Sequence, residues 1–289
     1  MDQKIIDLYD RFTHGGMNRR QFLDRLTEIA GSSAAAVALL PLLQNDYARA
    51  AIVPADDVRL AIDTVIYDSN GARINSYWAR PTSKGTRPAV IVIHENRGRN
   101  PHIEDVARRL ALEGFLALSP DLLSVAGGTP PDEDQARDLH AKADKAAMLN
   151  AALAAVPFIK NHGESIGKVG AIGFCYGGGV VNSMAVASSD LAAGVAYYGA
   201  QPSADQVPSI KAPLLLQYGG LDQRINAGIP AYEAALKAAG KRYTIHIYDN
   251  VNHAFNNDTG DRYNKAAADL AWSRTVAFFK EQLGAPPSG

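Results

Sequence analysis

A cysteine with a glycine two residues before it and another two residues after it limits the fold of this chain more than any other feature. The segment is Gly173-Phe174-Cys175-Tyr176-Gly177-Gly178. It comes after the apolar run 169–172 and leads into small residues at helical spacing over 177–186. A strand that turns directly into a helix forces the turn residue into a strained backbone, so its neighbours two away must be nearly free of side chain. This is the setting of a nucleophile elbow, with Cys in the usual place of Ser. The helix that starts there presents free N–H groups and a positive dipole end, which favour thiolate over thiol. Out of context a single cysteine reads as a small buried hydrophobe; the glycines around it change that reading. A nucleotide loop does not fit the cluster Gly177, Gly178, Gly179, because G-x-G-x-x-G is broken at Cys175 and no G-K-[ST] is present.

The rest of the chain supplies the scaffold that such a turn requires. Residues 58–67 and 74–79 flank the turn signal Asp68-Ser69-Asn70-Gly71 and predict an opening hairpin. The β-branched run 89–93 reads as a strand buried on both faces. Apolar residues at helical spacing run from Ile103 to Ala111, and Gly114 ends that helix. Residues 115–118 form the next strand and 122–132, rich in Gly and Pro, a surface loop. An alanine-rich helix is expected over 133–160, broken once. Strands at 169–172, 193–198, 214–218 and 243–247 alternate with helices near 228–239 and 263–282. This alternation predicts an α/β fold with a mostly parallel sheet and helices on both faces. Residues 51–289 make one catalytic domain.

An elbow makes a demand on the chain beyond it: an acid and then a histidine, each after a later strand. Asp222 ends Gly219-Gly220-Leu221-Asp222 behind the strand 214–218. His253 lies in the loop behind the strand 243–247. Both loops sit at the carboxyl ends of strands, where open α/β sheets build their sites. Only His246 and His253 lie beyond Asp222, and His246 falls inside a strand. His253 is then the base and acid for Cys175, and Asp222 fixes its tautomer. Taken singly, Asp222 reads as a turn residue, with Asp249 as a competitor, and His253 as a loop histidine. Their order is what makes them a set.

The formal net charge of −1 over 289 residues, with Lys and Arg scattered, advertises no face for nucleic acid. The first fifty residues pose a separate question. Asn18-Arg19-Arg20-Gln21-Phe22-Leu23 resembles a twin-arginine export motif, 29–43 is apolar, and Ala48-Arg49-Ala50 has the A-x-A form of a cleavage site. That run is too short for a membrane span. The expectation is export to the periplasm by the twin-arginine route, with a mature start near Ala51. Against it stand Asp24, Arg25, Glu28 and Asp46, which do not suit a leader, and Ile5, Ile6, Leu8, Tyr9 and Phe12, which line one helical face. The alternative is an uncleaved helical extension packed on a cytoplasmic enzyme.

With these residues in view, the chain resembles the dienelactone hydrolase (carboxymethylenebutenolidase) family over roughly residues 57–285. The resemblance rests on Gly173 to Gly178, Gly219 to Asp222, His253-Ala254-Phe255, and Ile93-His94-Glu95-Asn96-Arg97-Gly98. It implies the α/β-hydrolase fold and a cofactor-free hydrolase that cleaves an ester or lactone through a thioester acyl-enzyme. It further implies that Glu95 interacts with Cys175 and that the backbone N–H groups of Asn96 and Tyr176 form the oxyanion hole. Glu95 taken alone is also a plain loop carboxylate. Metal is not expected, since H-E-x-x-H would need His where Gly98 stands. One departure concerns the substrate: the family holds a substrate carboxylate with arginines, one shortly after the histidine, where this chain has Asn256, Asn257 and Asp258. Arg97, Arg99 and Arg137 are the candidates in their place, and dienelactone itself is in doubt. A peptidase or thioesterase on the same triad, or a non-catalytic binding protein on the same scaffold, are the competing functions. The expected partner is a small ester or lactone; the sequence does not speak to oligomeric state.

Overall fold

The computed structural model describes residues 1–47 and 52–286. Eight strands form one sheet in the order β1-β2-β4-β3-β5-β6-β7-β8. They are β1 (Leu60–Ser69), β2 (Ala72–Pro81), β3 (Arg87–Ile93), β4 (Leu116–Pro120), β5 (Ser165–Phe174), β6 (Leu191–Tyr197), β7 (Leu214–Gly219) and β8 (Tyr243–Tyr248). β2 runs antiparallel to both of its neighbours, and the pairings from β4 through β8 are parallel. The predicted hairpin turns on Asn70 and Gly71, both at positive φ (51° and 85°) as a tight two-residue turn requires.

β3 shows why the sheet is sandwiched. Ala89, Ile91 and Ile93 face one apolar cluster while Val90 and Val92 face another, and all five are fully buried. The first face is covered by α6 (Lys145–Lys160), α7 (Tyr176–Ala187) and α9 (Ile229–Ala238). The second is covered by α4 (Pro101–Leu112) and α10 (Lys265–Leu283). The alanine-rich stretch breaks as expected, between α5 (Glu133–Lys142) and α6, where the Asp144 side chain caps the first turn of α6. Residues 122–132 depart from the expected surface loop. They begin with a tight 3-10 turn, Leu122–Ala126, that buries Leu122 and Leu123 completely, because the Asp121 carboxylate caps it and turns it inward.

The first 47 residues form three helices, α1 (Gln3–Thr13), α2 (Arg19–Ala30) and α3 (Ser33–Leu43), around a small core of their own. Phe12 and Phe22 stack at 4.5 Å in it. Asn18 and Gln21 make a reciprocal capping box, so Arg19 and Arg20 of the suspected export motif begin a capped helix. Arg19 pairs with Asp134 at 2.5 Å. The suspected cleavage site at 48–50 lies outside the described residues. Among the described residues no single helix is long and apolar enough to cross a membrane.

If β3 is the central buried strand, Ile91→Ala should destabilise the protein by about 3 kcal/mol. Ile166→Ala, at a half-exposed position near the start of β5, should stay within about 0.5 kcal/mol. Urea unfolding of the two variants checks the contrast, and equal midpoints would refute it.

Candidate active site

Cys175 sits between β5 and α7 with φ 55° and ψ −115°, a conformation that costs a non-glycine residue on the order of 1–3 kcal/mol. The glycines around it leave no choice. A Cβ on Gly173 would lie 2.1 Å from the Gly177 carbonyl oxygen, and one on Gly177 would lie 2.4 Å from that of Ile93. The second contact seats the start of α7 against the loop that leaves β3. Asn96 on that loop and Tyr176 at the head of α7 are thereby neighbours. Among the described residues neither backbone N–H is taken by a hydrogen bond, as an oxyanion hole requires.

Asp222 and His253 come together from the loops after β7 and β8. His253 Nδ1 donates to Asp222 Oδ2 at 2.5 Å, with both side chains buried. The other oxygen, Oδ1, caps the short helix α8 (Gln223–Asn226) at the Ile225 N–H. Burial opposes the Asp222 carboxylate, but the hydrogen bond and charge of His253 outweigh it, and its pKa lies below the ordinary value. The resulting stabilisation is present above the unfolded carboxylate pKa and is lost as pH falls through the lower folded value. His253 Nε2 is buried and has no hydrogen-bond partner. The Tyr198 ring packs on the His253 ring at 4.8 Å.

The group on the sulfur is a different histidine. His14 Nε2 lies 3.2 Å from Cys175 Sγ, at the end of α1. Its Nδ1 is 2.7 Å from the Asp10 carbonyl oxygen and 3.2 Å from Asp10 Oδ1. The donor atoms of His14, Cys175 and His253 all lie within 4.8 Å of one another. Two imidazoles and a thiol are also a donor set that suits zinc, and an ion seated there would occupy the sulfur of Cys175.

The remaining expected residues fall into three groups. Glu95 is buried and accepts from Asn257 Nδ2 at 3.0 Å; its Oε1 has no partner, and no hydrogen bond joins it to Cys175. Arg97 is buried against α1, bonded to the Tyr9 hydroxyl at 2.7 Å and paired with Glu133, and does not line the cavity over Cys175. Arg137 does line that cavity, but its guanidinium is held by Asp134 at 2.8 Å and lies over the Phe12 ring. The cavity, about 280 Å³, is walled by Cys175, His253, His14, Tyr176, Tyr198 and Arg137 among others. A larger one of about 690 Å³ near Arg59, Glu113 and Lys280 contains none of the site residues. The residues that replace the expected arginine have work of another kind: Asn257 holds Glu95, and Asp258 holds the buried His102 at 2.8 Å.

Sequence reasoning did not identify His14, Asp10 or Tyr198. An elbow points only to histidines that come after the acid, and His14 comes long before it. The Asp10/His14 spacing of four on one helix was a legible sign of a pair, but nothing in the sequence shows that α1 folds back over the elbow. Tyr198 carries its own mark only in the structure, a positive φ of 39° in a fully buried aromatic residue.

An eight-stranded, mostly parallel sheet with a strained cysteine at the β5–α7 turn, followed in order by Asp222 and His253, defines an α/β-hydrolase fold. The model of the dienelactone hydrolase family matches residues 74–283, and the chain belongs to that family. Residues 1–31 match a second model, described as YqhI-like. A relative from Saccharolobus solfataricus, named "Putative carboxymethylenebutenolidase", is 32% identical over 254 residues, covering 75% of this chain and 97% of its own. Among solved structures, a "Putative Dienelactone Hydrolase" from Klebsiella pneumoniae superposes with a TM-score of 0.71 at 29% identity, over 77% of this chain and 99% of that one. A metagenomic dienelactone hydrolase-like promiscuous phosphotriesterase, P91, superposes at 0.70 and 25% identity, over 78% and 100%.

Asp222→Asn should leave the fold intact and lower kcat by roughly 10³- to 10⁴-fold, because the amide presents the wrong group to Nδ1–H. Steady-state kinetics on a p-nitrophenyl ester measures it; a loss below tenfold would remove Asp222 from the triad.

Proposed function

We propose that this chain cleaves a small carboxylic ester or lactone through a thioester formed on Cys175. The observation that carries this reading is the buried His253–Asp222 pair at 2.5 Å, with the ring's Nε2 unengaged and within 4.8 Å of a sulfur at a strained elbow. With its Nδ1–H held by Asp222, the imidazole directs Nε2 to the cavity side, where it accepts the S–H proton and leaves a thiolate. The thiolate attacks the carbonyl carbon and the S–C bond forms, while the developing oxyanion is met by the N–H groups of Asn96 and Tyr176. Collapse breaks the C–O bond, and the departing alkoxide takes a proton from His253. Water then adds to the thioester with His253 as base, the S–C bond breaks, and carboxylic acid and free enzyme remain. For a lactone, alcohol and acid are two ends of one product.

The cavity is slightly below the roughly 300–1,000 Å³ usual for small-molecule sites. That size favours a compact acyl group over an extended peptide.

Cys175→Ala should abolish turnover of p-nitrophenyl esters and lactones without changing the melting temperature, and wild-type activity should survive exhaustive dialysis against EDTA. Substrates are to be compared as esters, lactones, thioesters and peptides in one panel. Activity retained in Cys175→Ala, or lost on chelation and restored by zinc, would overturn the thiol mechanism. A panel in which peptides alone are turned over would replace the ester by an amide.

A further inference from the structure

Two Asp–His pairs, on separate parts of the chain, converge on one sulfur. His253 is held by Asp222 from the sheet loops. His14 is held by Asp10 from the N-terminal helices. The ring of His14 meets that of His253 edge-on, with centroids 4.9 Å apart. Only the N-terminal one is in hydrogen-bond contact with Sγ. We propose that His14 is a second catalytic histidine, the group that takes the proton from Cys175, holds the thiolate and gives that proton to the departing alkoxide, leaving His253 free to activate water. The proposal rests on the thiol mechanism above and deepens it.

The N-terminal helices are built into the site at several points. Asn96, whose N–H is assigned to the oxyanion hole, donates from its side chain to the Thr13 carbonyl oxygen at 2.8 Å, one residue before His14. Tyr9 holds Arg97 on the same loop at 2.7 Å. Gln3 reaches Asn252, next to His253, at 2.6 Å. Asp10 is in turn paired with Arg224 and Arg262, each at 3.2 Å. These contacts fix the end of α1 over the elbow by groups that belong to the oxyanion loop and the histidine loop themselves. Thr13 and His14 wall the cavity in which substrate would sit.

The geometry sets the proton balance. The S–H proton passes to His14 Nε2, giving imidazolium and thiolate 3.2 Å apart. Asp10 accepts from the opposite nitrogen. Burial works against this imidazolium, yet the Cys175 thiolate and the Asp10 hydrogen bond outweigh it, and His14 is raised above the ordinary histidine value. Asp10 is held well below the usual carboxylate range: burial opposes its charge, and the His14 hydrogen bond with the charges of His253 and Arg262 overcomes that. The departing alkoxide takes the S–H proton from His14. In deacylation His253 takes a proton from water as the water oxygen bonds to the acyl carbon; the S–C bond breaks and the proton returns to the sulfur. Ester and water thus become alcohol and acid with no net proton consumed. Such a division differs from a single-histidine triad, in which one ring must serve sulfur, alkoxide and water in turn.

Residues 1–47 then belong to the working enzyme. Cleavage near Ala51 would strip His14 from the sulfur, so this proposal stands with the packed extension and against a removed leader.

The test uses full-length His14→Gln, His14→Gly and Asp10→Asn, each with its melting temperature measured. In His14→Gln, alkylation of Cys175 by iodoacetamide at pH 7 should slow at least tenfold, and kcat/KM for a p-nitrophenyl ester should fall roughly 10²-fold, the usual size of one general base. Free imidazole should restore both rates in His14→Gly, which a purely structural role for His14 would not allow. Asp10→Asn should lie between wild type and His14→Gln. Wild-type alkylation and turnover in folded His14→Gln and Asp10→Asn would overturn the proposal; so would rates in His14→Gly that imidazole does not move. If Cys175→Ala is also fully active, it is the thiol mechanism that fails. If Cys175→Ala is inert while the His14 variants behave as wild type, the thiol mechanism stands and His14 is a lining residue.

Discussion

The backbone of Cys175 is the constraint on which the rest of the structure turns. Holding a side chain at φ 55° is possible only where the surroundings over-determine it, and here they are the carbonyls of β3 and the first turn of α7. Gly173 and Gly177 allow those elements to touch where any Cβ would collide with backbone oxygen. The same close approach brings Asn96 and Tyr176 together. The strained cysteine, the helix start beside it and the two N–H groups proposed for the oxyanion hole are therefore consequences of one packing contact. The sheet supplies the rigidity for it: 89–93 of β3 pair with 169–173 of β5, where both strands are buried, so the turn between β5 and α7 has little freedom to relax.

The catalytic domain was legible because its determinants are local or ordered along the chain. Glycines at the elbow, the Asn-Gly turn, β-branched runs and the break at Asp144 each act within a few residues. Asp222 and His253 were legible for a different reason: parallel strands deliver successive loops to one edge of the sheet, so order along the chain becomes proximity in space. Where the reading departed from the structure, long-range contacts decided. Leu122 and Leu123 are buried by the capping of Asp121 and by packing on the sheet, which the Gly and Pro beyond them conceal. Arg97 was expected to face substrate, yet it is engaged by Tyr9 and Glu133, groups 88 residues before it and 36 after.

The N-terminal helices expose the limit of pattern reading most clearly. An arginine pair, an apolar run and small residues have the composition of an export leader, and they have equally the composition of a capped helix followed by an apolar one. Composition cannot separate the two, because both need apolar surface to be taken out of water and differ only in what receives it. Here Phe12, Phe22 and Leu26 bury one another, and α1 lies on the catalytic loops. The apolar residues on one face of α1 carry information that composition does not, since Ile5, Leu8, Tyr9 and Phe12 are the ones that pack in this small core.

Placing a histidine from a separate segment against the thiol also changes what substrate must do on arrival. Cys175 is 8% exposed, with His14 Nε2 on one side of its sulfur and His253 Nε2 within 4.8 Å. Attack on a carbonyl requires the sulfur lone pair that points toward the cavity, so the hydrogen bond to His14 has to lie off that direction or yield to it. In an ion pair it need not be broken, because a thiolate has lone pairs enough to accept from His14 and attack at once. A neutral thiol that donates to His14 keeps the same geometry with the proton on sulfur. In the proposed mechanism the pair passes between resting and reactive forms by moving one proton along a 3.2 Å contact, with no movement of α1 required. Asp10 stabilises the charged form at the far nitrogen, and Arg224 and Arg262 keep Asp10 ionised and oriented. Charge separation in this buried site is therefore supported at both ends by fixed partners, the condition under which a buried ion pair is tolerated.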